Sequence, residues 1–157
     1  KWSSNINVHK DLIDGDAMGV KEWSCDIAVI ASADDGVVWH EMLHSCSVSY
    51  YKKEVYYQNE AIEEASVEFL KQEICKKMEI ASVDGYVNQV PILRAINSKF
   101  EYGTDMEFAQ ELFNIPLPER YQWLEDKVDV SLRSIGASFS DYNDVMRFLQ
   151  ELKGAIR

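Results

Sequence analysis

Long apolar runs are missing from this sequence. The longest, Ile27-Ala-Val-Ile-Ala31, has five residues, against about 18 for a membrane span, so no membrane-crossing helix is expected. Cysteine is scarce: Cys25, Cys46 and Cys75 form an odd set with no CxxC spacing, which excludes a disulfide framework and fits the reduced thiols of a cytoplasmic protein. Basic residues are few beside acidic ones, 16 against 27, for a net charge of −11. A protein so charged is repelled by nucleic acid unless it holds a local basic stripe. The densest basic groups, Lys52-Lys53 and Lys76-Lys77, are each flanked by Glu, so nucleic-acid partners are not expected. Nothing at the start has the pattern of a signal peptide. A chain that opens on Lys1 rather than Met is expected to be a processed or excised part of a longer protein.

What is present is ordinary globular material. Apolar residues make up 46% and charged ones 27% of 157 positions, which rules out disorder and suits one domain. No repeat, low-complexity tract or Gly/Ser linker divides the chain, but its character changes along its length. Residues 1–33 are rich in β-branched residues and turn signals: Asp14-Gly15-Asp16 reads as a turn and Asp26 to Ile30 as a buried strand. Asp34-Asp35-Gly36 offers caps for a helix from about Val37 to Ser47. Asn59 caps a long helix through about Met78, so that 34–80 holds two central helices. The part 85–157 reads as helical throughout. Pro91 stands near the start of a helix with Ile92, Ala95, Ile96 and Phe100 on one face. Thr104 and Glu107 form a capping box before Phe108, Leu112 and Phe113. Pro116 and Pro118 precede a stripe of Tyr121, Leu124, Val128 and Leu132, and a last helix from about Asp141 buries Val145, Phe148, Leu149 and Leu152. The expected architecture is α+β: a small N-terminal sheet, two central helices and a helical C-terminal subdomain.

Within the first central helix stands His40-Glu41-Met42-Leu43-His44, or H-E-x-x-H. Helical positions i and i+4 share a face, so both imidazoles can reach one metal ion, while Glu41 lies beside its open position and can take a proton from bound water. Val37, Val38, Trp39, Met42 and Leu43 supply apolar residues for the helix's buried side. Two of only three histidines stand in this motif, a coincidence that two ordinary surface histidines would rarely produce. Zinc needs a third protein ligand and one position left for water. Downstream, Glu60, Glu64 and Glu68 follow at i+4 steps and share a helix face. Like charges so placed cost a helix about 0.2–0.5 kcal/mol per pair, a cost that a divalent cation would turn into a gain; a solvated acidic face is the plainer alternative. Cys46 reads as a small buried residue rather than a ligand.

In these residues, from about Asp26 to Leu70, the sequence resembles the gluzincin branch of the zincin metallopeptidases. The resemblance implies a second helix that supplies a Glu ligand about twenty residues after the second His, which is Glu64. It implies a further acidic residue four positions on, Glu68, bracing a metal-bound His. An Asn-Glu pair is common at the ligand position of that branch and occurs here as Asn59-Glu60, so Glu60 stays as the alternative ligand, with Glu63 a third choice. Some members place a tyrosine seven residues before the ligand Glu as oxyanion donor, which points to Tyr57, although Tyr56 and Tyr57 serve equally well as packing residues. The implied protein is a zinc-dependent peptidase in which His40, His44 and Glu64 bind Zn²⁺, Glu41 is the general base and a peptide or protein is the substrate. An extended substrate would pair with an edge strand near Trp23–Ile30. The rival reading is a non-catalytic zinc-binding or interaction module of a larger protein, for which Glu41 would have no use.

Overall fold

A computed structural model describes residues 3–11, 17–47 and 52–154. The turn expected at Asp14–Asp16 lies outside them, as do 1–2, 48–51 and 155–157. The fold is α+β and mostly helical. Strands β1 (Ile6–His9), β2 (Gly19–Lys21) and β3 (Ile27–Ile30) precede helices α1 (Asp35–Cys46), α2 (Lys53–Met78), α3 (Gln89–Phe100), α4 (Asp105–Asn114), α5 (Leu117–Ser134) and α6 (Phe139–Gly154). No described helix is long and apolar enough to cross a membrane.

The sheet has the order β1-β3-β2, with β1 parallel to β3 and β2 antiparallel to it. β3 is the continuous apolar run of the sequence, and all four of its residues are buried, as expected for a central strand covered on its faces. The expectation that an edge strand near Trp23–Ile30 is free to hold a peptide is therefore corrected: both backbone edges of β3 are already paired. Beside the helices, the free edge belongs to β2.

α1 begins where Asp34 accepts a hydrogen bond from the Val37 amide at 3.0 Å. The apolar side expected for it is only partly realised. Its buried residues are Gly36, His40, Glu41, Leu43, His44 and Ser45, so the polar motif itself faces inward. α2 is the central rod of the molecule. From Ala61 through Lys71 every residue is buried, because the helix is flanked by α1 on one side and by α3–α6 on others. The helix does not begin at Asn59 as expected: it starts at Lys53, and Asn59 is a non-helical kink within it whose side-chain amide donates back to the Val55 carbonyl at 2.8 Å.

The hydrophobic core lies between α2 and α3–α6, around Phe69, Leu93, Phe108, Leu112, Leu124, Val128 and Leu149. α4 starts on the expected capping box, in which Glu107 accepts from the Thr104 amide and Thr104 from the Glu107 amide. α3 is turned from its expected face. Val90, Leu93, Ile96 and Asn97 are buried while Ala95 is exposed. Two overlapping stripes share Ile96, and the one carrying Leu93 meets α2. The other stripe, with Ile92 and Phe100, lines a groove against Val145 and Phe148 of α6, which leaves Phe148 44% exposed rather than buried. Cys46 is exposed and Cys75 is the buried thiol, because position 46 lies on the outer side of α1.

Candidate metal centre

Glu63, Glu64, Glu68 and Lys71 are charged side chains buried in the middle of α2. A buried charge is costly unless paired, so these glutamates are not a solvated acidic face. They face α1. Three atoms converge between the two helices: His40 Nε2 and His44 Nε2 are 3.0 Å apart, and Glu64 Oε2 lies 3.2 Å from each. Among the described residues, His40, His44 and Glu64 are the one group of this kind that could hold a metal ion.

The opposite ring nitrogens fix what these three atoms are. His40 Nδ1 lies 3.0 Å from Glu68 Oε2 and His44 Nδ1 lies 3.0 Å from Glu63 Oε1. An ionised carboxylate only accepts, so both Nδ1 atoms carry hydrogen and both neutral rings turn a lone pair inward from Nε2. Two imidazole lone pairs and a carboxylate oxygen in mutual contact repel one another unless a positive charge joins them. Without a metal that charge is a proton. Burial opposes charge on His44, but the pull of Glu64 and the bonds to Glu63 and Glu64 outweigh it and raise its pKa well above 6.5. Burial likewise opposes charge on His40, and the bonds to Glu64 and Glu68 raise its pKa as well. Glu64 is held well below the usual carboxylate range, against its burial, by the two histidines. The same donor set fits zinc. Ligands about 2.0–2.1 Å from a tetrahedral ion are about 3.3 Å from one another, close to the spacing found, and two imidazoles with a carboxylate are a familiar zinc set.

The surroundings hold each donor still. Glu68 also accepts from the Gly85 amide at 2.8 Å, Gln72 Nε2 at 2.9 Å and Lys71 Nζ at 2.9 Å. Burial opposes its ionisation, but the bonds from His40, Gln72 and Lys71 bring its pKa down to about 2. Glu63 is paired through Oε2 with Arg120 Nη1 at 2.7 Å. The Tyr56 hydroxyl donates to Glu64 Oε1 at 2.7 Å, leaving Oε2 for the cluster. Glu60 stands outside the group and only half-buried, so the Asn59-Glu60 register does not reach the histidines.

Glu41 sits beside the cluster without joining it. Its carboxylate is buried among His40, His44 and Glu64 and accepts from the Lys21 backbone amide, and burial raises its pKa. β2 can lie this close because residue 19 is glycine: a Cβ there would stand 2.6 Å from Val37 Cγ1 and 3.0 Å from Glu41 Cγ. A cleft lined by Gly19, Val20, Lys21, Tyr56 and Tyr86 opens over the cluster. It adjoins a hollow of about 400 Å³ between Met18, Val37, Val83 and Gly85.

Tyr57 is not in this cleft. One helical step turns it outward, 63% exposed, with its ring against Tyr56 and Trp23. Tyr86 lines the cleft instead. The Tyr86 ring stacks on His40, 5.8 Å between centroids and 5° between planes. Burial, and then the carboxylate of Glu64 to which its hydroxyl bonds, push the Tyr86 pKa far up, so it stays a donor. Its backbone is left-handed, φ 47°, a conformation a non-glycine residue adopts at some cost and often at functional sites. Sequence reasoning missed Tyr86 and Arg120 because nothing local marks them, and it ranked Glu63 last because Glu63 projects away from Glu64. That same projection carries Glu63 to the other ring nitrogen of His44. Compared with known proteins, the chain matches no family model, no curated protein and no solved structure.

Proposed function

We propose that the protein is a zinc-dependent metallopeptidase of the zincin type, with His40, His44 and Glu64 as the ligands and Glu41 as the general base. What supports the reading above all is that Glu41, a buried carboxylate the donor cluster does not use, faces the same cleft as that cluster. A site that only held an ion would gain nothing from an extra buried acid beside it. Bound there, zinc would supply Lewis acidity toward water and toward a peptide carbonyl.

The protein's own residues then have distinct tasks. Glu41 accepts the proton of the attacking water on a carboxylate oxygen and delivers it to the leaving amine nitrogen. Its raised pKa suits both halves of that exchange, since a base works best near the operating pH. The Tyr86 hydroxyl donates to the carbonyl oxygen as it gains charge. Tyr56 keeps Glu64 turned toward the ion. An extended peptide lies along the free edge of β2, with a side chain in the hollow between Met18 and Val83. Substitution of Glu41 by Gln tests the reading: the amide is nearly isosteric and cannot take a proton. Glu41→Gln should bind zinc as wild type does and lose hydrolysis by about 10²–10⁴-fold, with self-cleavage and cleavage of a co-purifying protein as the first screens. Wild-type hydrolysis by the variant would leave the site a non-catalytic zinc module.

A further inference from the structure

Arg120 is 0% exposed and the largest fully buried side chain described, on a helix whose other buried residues are Leu117, Leu124, Val128 and Leu132. Its Nη1 donates to Glu63 Oε2 at 2.7 Å and to Ser66 Oγ, and its Nη2 to Ser47 Oγ at 3.2 Å and the Phe113 carbonyl at 2.9 Å. The Ile115 carbonyl takes Nε at 3.3 Å. The guanidinium thus spans the join of α4 and α5, the C-terminal end of α1 and the middle of α2. Ser47 Oγ donates to the same Glu63 oxygen at 2.9 Å.

Glu63 is itself 0% exposed, and its two oxygens have separate duties. Oε2 takes Arg120 and Ser47; Oε1 takes His44 Nδ1, at 3.0 Å. If Glu63 served only to staple α5 to α2, the second oxygen would have no need to meet a metal ligand. With Oε2 clamped, the carboxylate cannot rotate, and Oε1 is a fixed acceptor for Nδ1–H. That bond sets both the tautomer and the ring plane of His44, and it turns Nε2 toward His40 Nε2 and Glu64 Oε2. His40 receives the corresponding restraint from Glu68, which is anchored within α2 and by the Gly85 amide. His44 receives its own from the helical subdomain.

We infer that Arg120 is a positioning residue of the metal centre: through Glu63 it fixes His44 with Nε2 facing the ion, so that the helical subdomain sets zinc affinity. The inference rests on the zinc reading above but not on peptide hydrolysis. Outer partners of metal-bound histidines typically contribute 10–100-fold in affinity, and the same is expected here. Removing one member of the pair strands a buried charge and endangers the fold, whereas replacing both with uncharged groups of similar volume is often neutral. The informative variant is therefore Glu63→Gln/Arg120→Met, with Arg120→Lys as the conservative partner that keeps the charge and loses the fork.

Zinc affinity is measured by competition with a chromophoric chelator, alongside the unfolding midpoint of each metal-free protein. The double variant should unfold near the wild-type midpoint and bind zinc 10–100-fold more weakly, with Arg120→Lys between the two. In zinc-loaded wild type, imidazole ¹⁵N shifts should show His44 protonated at Nδ1 and bound through Nε2. Wild-type zinc affinity in a folded double variant, or in Arg120→Lys should the double variant not fold, would overturn the role, as would coordination of His44 through Nδ1. A wild-type protein that binds no zinc would instead remove the metal reading itself.

Discussion

At the scale of single residues, the cleft distinguishes three tyrosines that the sequence presents as near equals. Tyr56 and Tyr86 both turn a hydroxyl to Glu64 while Tyr57 points to solvent, and of the two Tyr86 also stacks on His40 and keeps its proton. Loss of one oxyanion donor typically costs about 10²–10³ in rate. Tyr86→Phe should therefore lower turnover of a cleaved substrate by about that factor with zinc content unchanged, while Tyr57→Phe should lie near wild type. A large loss for Tyr57→Phe with none for Tyr86→Phe would return the role to the position seven before Glu64. The distinction was invisible in the sequence for a simple reason. Tyr56 and Tyr57 are close to the ligand along the chain, whereas Tyr86 comes from beyond the end of α2 and arrives only because the chain doubles back.

At the scale of elements, that return is held at one end of α1. Asp34 caps α1 through Oδ1 and accepts the Val83 amide through Oδ2 at 3.0 Å. Gly36 admits Ser82 so closely that a Cβ would stand 1.9 Å from its hydroxyl oxygen. Lys71 Nζ adds bonds to Ser82 Oγ and the Val83 carbonyl, both at 2.9 Å. One aspartate therefore both starts the helix that carries the histidines and ties down the segment that carries Tyr86. Asp34→Ala should lose about 0.5–2 kcal/mol of stability for the cap, and in addition speed amide exchange at Val83 and the residues after it; a stability loss without that local change would mean that the segment is held without Asp34. What was legible in the sequence follows the same division. Helical spacing alone sets His40 with His44 and Glu64 with Glu68, and the caps at Asp34 and Thr104 are read from neighbouring residues. Strand order is not local, so the apolar run of β3 does not by itself show that it is the centre of the sheet rather than an edge. Which of two overlapping stripes on α3 meets the core depends on where α2 lies, and so Leu93 took the place given to Ala95.

At the scale of the whole molecule, the buried cluster ties stability to protons and metal. In the metal-free protein His40 and His44 have pKa values raised above 6.5. Their contribution to folding is complete below about pH 6.5 and fades as pH rises through the raised values. Glu64 and Glu68 are depressed from 4.5, so their contribution is present above about pH 4.5 and is lost as pH falls toward the folded values, about 2 for Glu68. The metal-free protein therefore draws most from this cluster between those limits. Zinc competes with the histidine protons, and ligands bind it only when deprotonated. The rise in unfolding midpoint on adding zinc should widen from pH 6 to pH 8, measured against chelator-treated protein; a rise that shrinks over that range would contradict the protonated state assigned to the histidines. The most direct measurement is the zinc content of protein purified without chelators, dialysed against zinc and then against zinc-free buffer, and assayed by elemental analysis. The expected result is close to one zinc per chain in wild type and little in His44→Ala. Metal-free wild type after that treatment would contradict a metal centre at His40, His44 and Glu64.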